Sequence, residues 1–368
     1  MPDGGGFSQF EKARKGHTSK GRGAVSNDTP RFERLVTEAF DDGWGSLTED
    51  MPSLRTTLTR EAAKSALSYN DSPDLGFDRS LNPYRGCEHG CVYCFARPSH
   101  AYLGLSPGLD FETQLLFKPD MPELLARELS RPGYVAKPVT LGANTDPYQP
   151  VERTQGLTRR VLEVLERFGH PVNIVTKGAG VLRDADILSR MARRNLVRVC
   201  LSITTLDAKL ARAMEPRAAS PLRRLEALRV LSAQGIPVTV LAAPMIPGIN
   251  DAELERILEA SAAAGASSAG YVLLRLPLEL RQIFEEWLHQ HYPDRAARVL
   301  ALVRQTRGGK LYDPRFGTRH TGEGAYAEML AQRFALALRK TGLDRREVSA
   351  LDTNQFNHRA DARQLELI

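Results

Sequence analysis

From Leu81 onward, short runs rich in β-branched residues alternate with longer stretches in which apolar positions recur every three or four residues. The first pattern is that of buried strands and the second that of helices with one apolar face, so the chain reads as repeated βα units on a parallel sheet. Strands are expected at Pro138–Ala143, Val172–Thr176, Val197–Thr204, Val238–Ala243 and Tyr271–Leu276. Between them, helices are expected at Met121–Leu129, Gln155–Phe168, Arg183–Arg194, Leu222–Gln234 and Ala252–Ala264. With a short strand leading into the segment after Leu81, about six βα units result, fewer than the eight of a closed barrel. The expected fold is α/β, an open, partial (β/α)6 barrel. Past Pro277 the pattern turns helical, at Glu279–His291, Arg295–Thr306 and Tyr326–Lys340, with a Gly- and Arg-containing loop at Arg307–Gly324.

These patterns divide the 368 residues into a basic arm (1–57), the barrel (58–276), a helical C-terminal extension (277–351) and a flexible polar tail (352–368). The arm clusters Lys12, Arg14, Lys15, Lys20 and Arg22 with little apolar periodicity, so it is expected to be largely disordered, with one short helix near Phe32–Phe40. It is either a solvated tail or an electrostatic arm for nucleic acid. Apolar content of 42% and charged content of 26% are those of a chain that buries a sizeable core. No apolar run approaches the ~18 residues of a membrane span, and the N-terminus lacks the apolar stretch of a secretory signal. A cytoplasmic location is expected. The formal net charge of +6 is compatible with a polyanionic partner.

Only four cysteines occur, too few for a disulfide framework in a chain of this length, and Cys87, Cys91 and Cys94 fall within eight residues. Their C-x3-C-x2-C spacing is flanked by Gly86 and Gly90, which permit a sharp loop in which three sulfurs converge. A cubane holds four irons and is ligated by thiolates, so three local cysteines leave one iron free of protein ligands. That iron is what a chelating amino-acid substrate requires. The competing reading is zinc, with His89 or a distant group as the fourth ligand of a tetrahedron.

The C-x3-C-x-aromatic-C pattern of Cys87, Cys91, Tyr93 and Cys94 resembles the signature of the radical SAM superfamily. The phrases at 82–91 (Asn-Pro-Tyr-Arg-Gly-Cys-Glu-His-Gly-Cys), 145–150 (Thr-Asp-Pro-Tyr-Gln-Pro) and 104–112 (Gly-Leu-Ser-Pro-Gly-Leu-Asp-Phe-Glu) resemble a bacterial radical SAM group related to spore photolyase. The resemblance implies a [4Fe–4S] cluster and S-adenosylmethionine (SAM) at the C-terminal ends of the strands, reductive cleavage to a 5′-deoxyadenosyl radical, and a low-potential electron donor. By the same resemblance, Asn144, Thr145 and Asp146 follow the second strand where the methionine ammonium binds, with Asp146 the acceptor unless it caps the next helix. Lys177 is the partner expected for the SAM carboxylate, Ser202 for ribose or carboxylate, and the segment at Met245 for adenine. Cys200, Ser202 and Thr204 share one parity, so they face one side of their strand.

The thiol that returns a hydrogen atom in spore photolyase has no counterpart here, because Asn144 and its neighbours occupy its place. Cys200 is the replacement the chain offers, with core packing as the alternative, and Tyr102 is a second candidate relay. The last residues, Gln364, Leu365, Glu366, Leu367 and Ile368, resemble the peptide with which bacterial repair proteins engage the sliding clamp. The expected function is radical SAM chemistry on DNA. Alternatives are the same chemistry on a small metabolite, tRNA or peptide, and a non-catalytic metal-binding nucleic-acid adaptor.

Overall fold

The structure is a computed structural model that describes residues 21–33, 54–344 and 349–360. Its ten strands are β1 (Thr57–Arg60), β2 (Leu67–Tyr69), β3 (Arg79–Leu81), β4 (Tyr84–Arg85), β5 (Gln114–Phe117), β6 (Val139–Leu141), β7 (Val172–Thr176), β8 (Val197–Ser202), β9 (Val238–Met245) and β10 (Ser268–Leu273), counted among the described residues. One sheet runs in the order β10-β9-β8-β7-β6-β3-β2. Its strands β3 and β6 to β10 are all parallel, and β2 closes the edge in antiparallel fashion. Six parallel strands with intervening helices make the partial barrel that the alternating pattern predicts. A small second sheet, β1-β5-β4, lies beside the cysteine loop.

The barrel helices are α1 (Met121–Leu129), α2 (Leu157–Phe168), α3 (Ala185–Arg193), α4 (Ala208–Met214), α5 (Pro221–Ala233) and α6 (Leu254–Ala263), followed by α7 (Leu280–His291), α8 (Pro293–Gln305) and α9 (Ala325–Thr341) in the extension. Strand parity explains the layering. Val172 and Ile174, Val197, Val199 and Leu201, and Val238 and Val240 are fully buried in one core with Leu165, Leu188 and Leu228 of the helices. The alternate residues, Asn173, Val175, Arg198, Cys200, Thr239 and Leu241, are half-buried on the other, inner face. β10 begins three residues before the expected Tyr271, because Ser268, Ala269 and Gly270 pair with Thr239, Val240 and Leu241 although they carry no apolar signal. α4 is not visible in the periodicity either, being only seven residues long.

Two outer segments depart from the expected outline. Within the basic arm, Arg22 and Ala24 are buried, and the amides of Gly23 and Ala24 both donate to the Glu112 carboxylate at 2.9 Å. Of the helix expected near Phe32–Phe40, residues 34–40 lie outside the described residues. In the polar tail, Asp352 N donates to Asn195 O and Asn357 N to Phe168 O, each at 2.9 Å. Phe356 stacks among Tyr134, Phe168 and His170 with centroids 5.3–6.4 Å away. The contact needs Gly169, whose φ is 61° and where a Cβ would meet Gln355 O at 2.3 Å. Residues 349–357 therefore cross the N-terminal ends of β7 and β8, and Ser349 O accepts from Arg198 Nη2 at 2.8 Å. The clamp-like Gln364, Leu365, Leu367 and Ile368 lie outside the described residues.

Candidate metal centre

β3 delivers the chain to the C-terminal end of the barrel, and the loop after β4 carries Cys87, Cys91 and Cys94 there. Cys87 and Cys91 are buried and Cys94 is half-buried. The loop has little regular structure, so its backbone is held by distant groups. Cys87 N donates to Phe111 O at 2.8 Å, and Val92 N to Met214 O of α4 at 3.0 Å. Gln149 spans it, accepting from Glu88 N at 2.9 Å and donating to Gly86 O at 3.2 Å. Arg97, with no exposed surface, donates to the carbonyls of Gly90, Cys91, Pro107 and Gly108 at 2.8–3.1 Å. It also pairs with buried Glu112 at 2.5 Å. Gly90, with φ of 67°, lets Glu112 approach, since a Cβ would sit 2.6 Å from its Oε2.

Around the thiols, Asp146 is occupied on both oxygens. Oδ1 accepts from Tyr148 N at 2.8 Å and Thr176 Oγ1 at 2.7 Å, and Oδ2 from Lys177 N at 2.7 Å. His89 Nδ1 faces Oδ2 at 3.2 Å. Burial works to raise the carboxyl, yet His89 and these donors hold it down at about 2. Asp146 thus ties the cysteine loop to the end of β7 and closes a turn onto Tyr148; it does not cap the next helix, Glu152–Gln155, whose N-cap is Val151 with no side-chain bond. Lys177 places Nζ 5.6 Å from the Tyr93 ring centroid and has no ion pair among the described residues. The Tyr93 hydroxyl bonds Glu215 and Thr204 Oγ1, and Glu215 pairs with buried Arg224. This network fixes the loop against the end of β8.

The remaining predicted residues separate. Asn144 is exposed, its N bonded to Asn82 Oδ1 at 2.8 Å, while Thr145 is buried and spends its hydroxyl on Tyr84 O at 2.8 Å. Ser202 and Met245 are buried at the ends of β8 and β9. Cys200 lies on the inner face in register with Val175 and Thr239, and burial pushes its thiol up to about 11. Tyr102, 71% exposed, packs at a tilt against Phe32 with centroids 5.1 Å apart and lies under Arg31, so its contacts among the described residues are on the surface. Glu112, Glu215, Arg224 and Asn250 are site residues that the pattern misses. Asn250 holds the end of β9 by donating to Thr204 O and Pro244 O at 2.7 and 2.9 Å. These partners lie from 6 residues away, for Asn250 and Pro244, to 122, for Glu215 and Tyr93, so no single spacing signals them.

The donor set suits an iron–sulfur cluster. Burial raises all three thiols, and the carboxylates of Asp146 at Cys87 and Glu215 at Cys91 raise them further; against this, Lys177 lowers Cys91 and Cys94, Arg224 lowers Cys91 and Arg97 lowers Cys94. Nearby cations favour the thiolates that a cluster needs as ligands. A single zinc ion would need four ligands at about 2.0–2.3 Å from one point. Among the described residues no group of three His, Cys, Asp or Glu, the three thiols included, is gathered closely enough to hold a metal ion, so the preference for a cluster over zinc rests on the residue types and on His89, which Asp146 engages at 3.2 Å. No helix of the described residues is long and apolar enough to cross a membrane.

Comparison with known proteins bears on the family and the fold. The family model of the Radical SAM superfamily matches residues 81–260, from the end of β3 into α6. An uncharacterized protein of Mycobacterium tuberculosis is 35% identical over 287 residues, covering 77% of this chain and 81% of that protein. One of Methanocaldococcus jannaschii is 26% identical over 214 residues, covering 58% of this chain and 76% of that protein. Spore photoproduct lyase complexed with dinucleoside spore photoproduct has a similar fold, with a TM-score of 0.54 and 17% identity, over 77% of this chain and 79% of that one.

Proposed function

The chain belongs to the radical SAM superfamily, and from that premise we propose that it acts on a lesion in DNA. The observation that carries the chemistry is the loop of Cys87, Cys91 and Cys94 with the ammonium of Lys177, which has no ion pair among the described residues, over the Tyr93 ring between them. Spore photoproduct lyase, whose fold it shares, binds a dinucleoside lesion, which supports DNA as the substrate class. When bound, a [4Fe–4S] cluster on Cys87, Cys91 and Cys94 supplies the electron that cleaves SAM to methionine and a 5′-deoxyadenosyl radical.

The protein's own residues do the rest. Lys177 is positioned to pair with the SAM carboxylate, with Tyr93 below its ammonium excluding water from one side. Asp146 and His89 keep the β7 end and the cysteine loop together. Asn144, whose side chain is exposed, is the member of its loop left to meet the ligand. Cys200 is the candidate hydrogen donor, since it lies on the inner face of the sheet in register with Val175 and Thr239.

The test is 5′-deoxyadenosine formation by reduced, reconstituted protein with lesion-bearing oligonucleotides, traced with deuterium. Stimulation by one lesion, with label passing to the product, supports the proposal. SAM cleavage indifferent to every DNA, and stimulated by a peptide, tRNA or metabolite, would reject it.

A further inference from the structure

The mouth of the barrel carries a cationic cluster that the chemistry above does not use. Past β10 the chain runs through Leu274 to Arg275, whose guanidinium stacks on Phe95 at 5.5 Å from the ring centroid. Phe95 follows Cys94 directly and is 46% exposed. Arg275 has no hydrogen bond or ion pair among the described residues, and its Nε is buried without a partner. Among the described residues the Arg307 guanidinium, 2% exposed, donates only to the carbonyls of Thr318, Leu273 and Leu274 at 2.9, 3.3 and 2.7 Å. Its Nε is likewise unpartnered.

The two guanidinium groups feel one another. Burial and then the charge of Arg275 hold Arg307 down at about 10. His320, held down at about 4 by burial and then by Arg275, is neutral beside them; its Nε2 makes no hydrogen bond and faces Asp74 Oδ2 at 3.7 Å. The carboxylates nearby are already engaged: Asp74 by Arg319 at 2.5 Å, and Asp313 and Glu323 by Arg315 at 2.7 and 2.8 Å. Like charges gathered in poorly hydrated surroundings, with N–H groups left over, call for an anion with several acceptor oxygens. Guanidinium forks match phosphate in shape and charge.

We propose that Arg275, backed by Arg307, binds a phosphate group of the substrate beside the cysteine loop. It rests on the DNA reading only for the source of that phosphate, a backbone phosphodiester; a smaller phosphorylated substrate would offer the same chemistry. Held there, the phosphate places the rest of the substrate over Phe95, next to the last cluster cysteine.

Reconstituted full-length protein is titrated with inorganic phosphate, against chloride at equal ionic strength, and its unfolding midpoint is followed. The wild type is expected to rise with phosphate, Arg275→Gln to bind it at least tenfold more weakly, and Arg275→Lys to fall between. Arg229→Gln, on the outer face of α5, is the control and should match the wild type. No phosphate-specific rise in the wild type overturns the site whatever the variants do, as does an equal rise in Arg275→Gln. Weakened SAM binding in Arg275→Gln with unchanged phosphate binding also overturns it, by assigning the guanidinium to SAM. With a single-stranded oligonucleotide, the slope of log K against log salt should fall by about 1 in Arg275→Gln. Phosphate binding without oligonucleotide binding keeps the site and removes the DNA reading, whereas DNA-stimulated SAM cleavage with no phosphate effect does the reverse.

Discussion

Arg97 enters the interior with every guanidinium nitrogen engaged: two of its five partners are carbonyls of the cysteine loop, Gly90 and Cys91, and the others are the carbonyls of Pro107 and Gly108 and the Glu112 carboxylate. A lysine has one nitrogen for these acceptors and would leave Glu112 under-paired in a dry site. Arg97→Met, which removes the cation and leaves Glu112 buried without it, should lose about 3–5 kcal/mol of stability, the range for breaking a buried ion pair. The urea midpoint of the protein reads that loss directly, and iron bound per chain should drop with it. The cysteines themselves are legible from sequence because their ligand chemistry is local, repeating within eight residues. Arg97 and Glu112 are not, since their bond joins the two ends of an irregular segment and Glu112 also takes the amides of Gly23 and Ala24. Asp146 shows the middle case: its place was readable, but not that both oxygens are bonded within the protein.

At the scale of elements, the helical extension supports the cysteine loop. Trp287 of α7 is fully buried, stacks on Phe284 at 5.6 Å and donates to Ala213 O of α4 at 2.9 Å. α4 in turn accepts Val92 N of the loop. Trp287→Ala should cost about 3–5 kcal/mol, and chelation kinetics should show faster loss of iron. The opposite end of the barrel has its own linkage. His170 Nδ1 donates to Pro171 O at 3.0 Å and Nε2 accepts from the Tyr134 hydroxyl at 2.9 Å, an arrangement that suits only the neutral ring. Burial holds its pKa down at about 4, against 6.5 when free. As pH falls below 6.5 the unfolded chain takes the proton first, so stability is lost between about pH 6.5 and 4, by about 3 kcal/mol in all. Equilibrium unfolding across that range should show the slope, and His170→Gln should flatten it. The parallel strands were legible from their apolar runs, whereas the start of β10 was not, because its pairing uses backbone and not side-chain character.

For the whole molecule, the two ends of the barrel are closed by segments that composition marks as polar. Residues 21–24 pack under the cysteine loop and 349–357 cross the far end, both through backbone hydrogen bonds and small buried surfaces that hydropathy patterns do not register. The cysteine end remains the one that gathers Lys177, Arg275 and Arg307. The central claim is that Cys87, Cys91 and Cys94 hold a cluster that cleaves SAM, and anaerobic reconstitution followed by a 5′-deoxyadenosine assay tests it most directly. The wild type should take up iron and sulfide and, once reduced, form 5′-deoxyadenosine, while replacement of all three cysteines by alanine abolishes both. A protein that takes up zinc but no iron, and forms no 5′-deoxyadenosine, would contradict it.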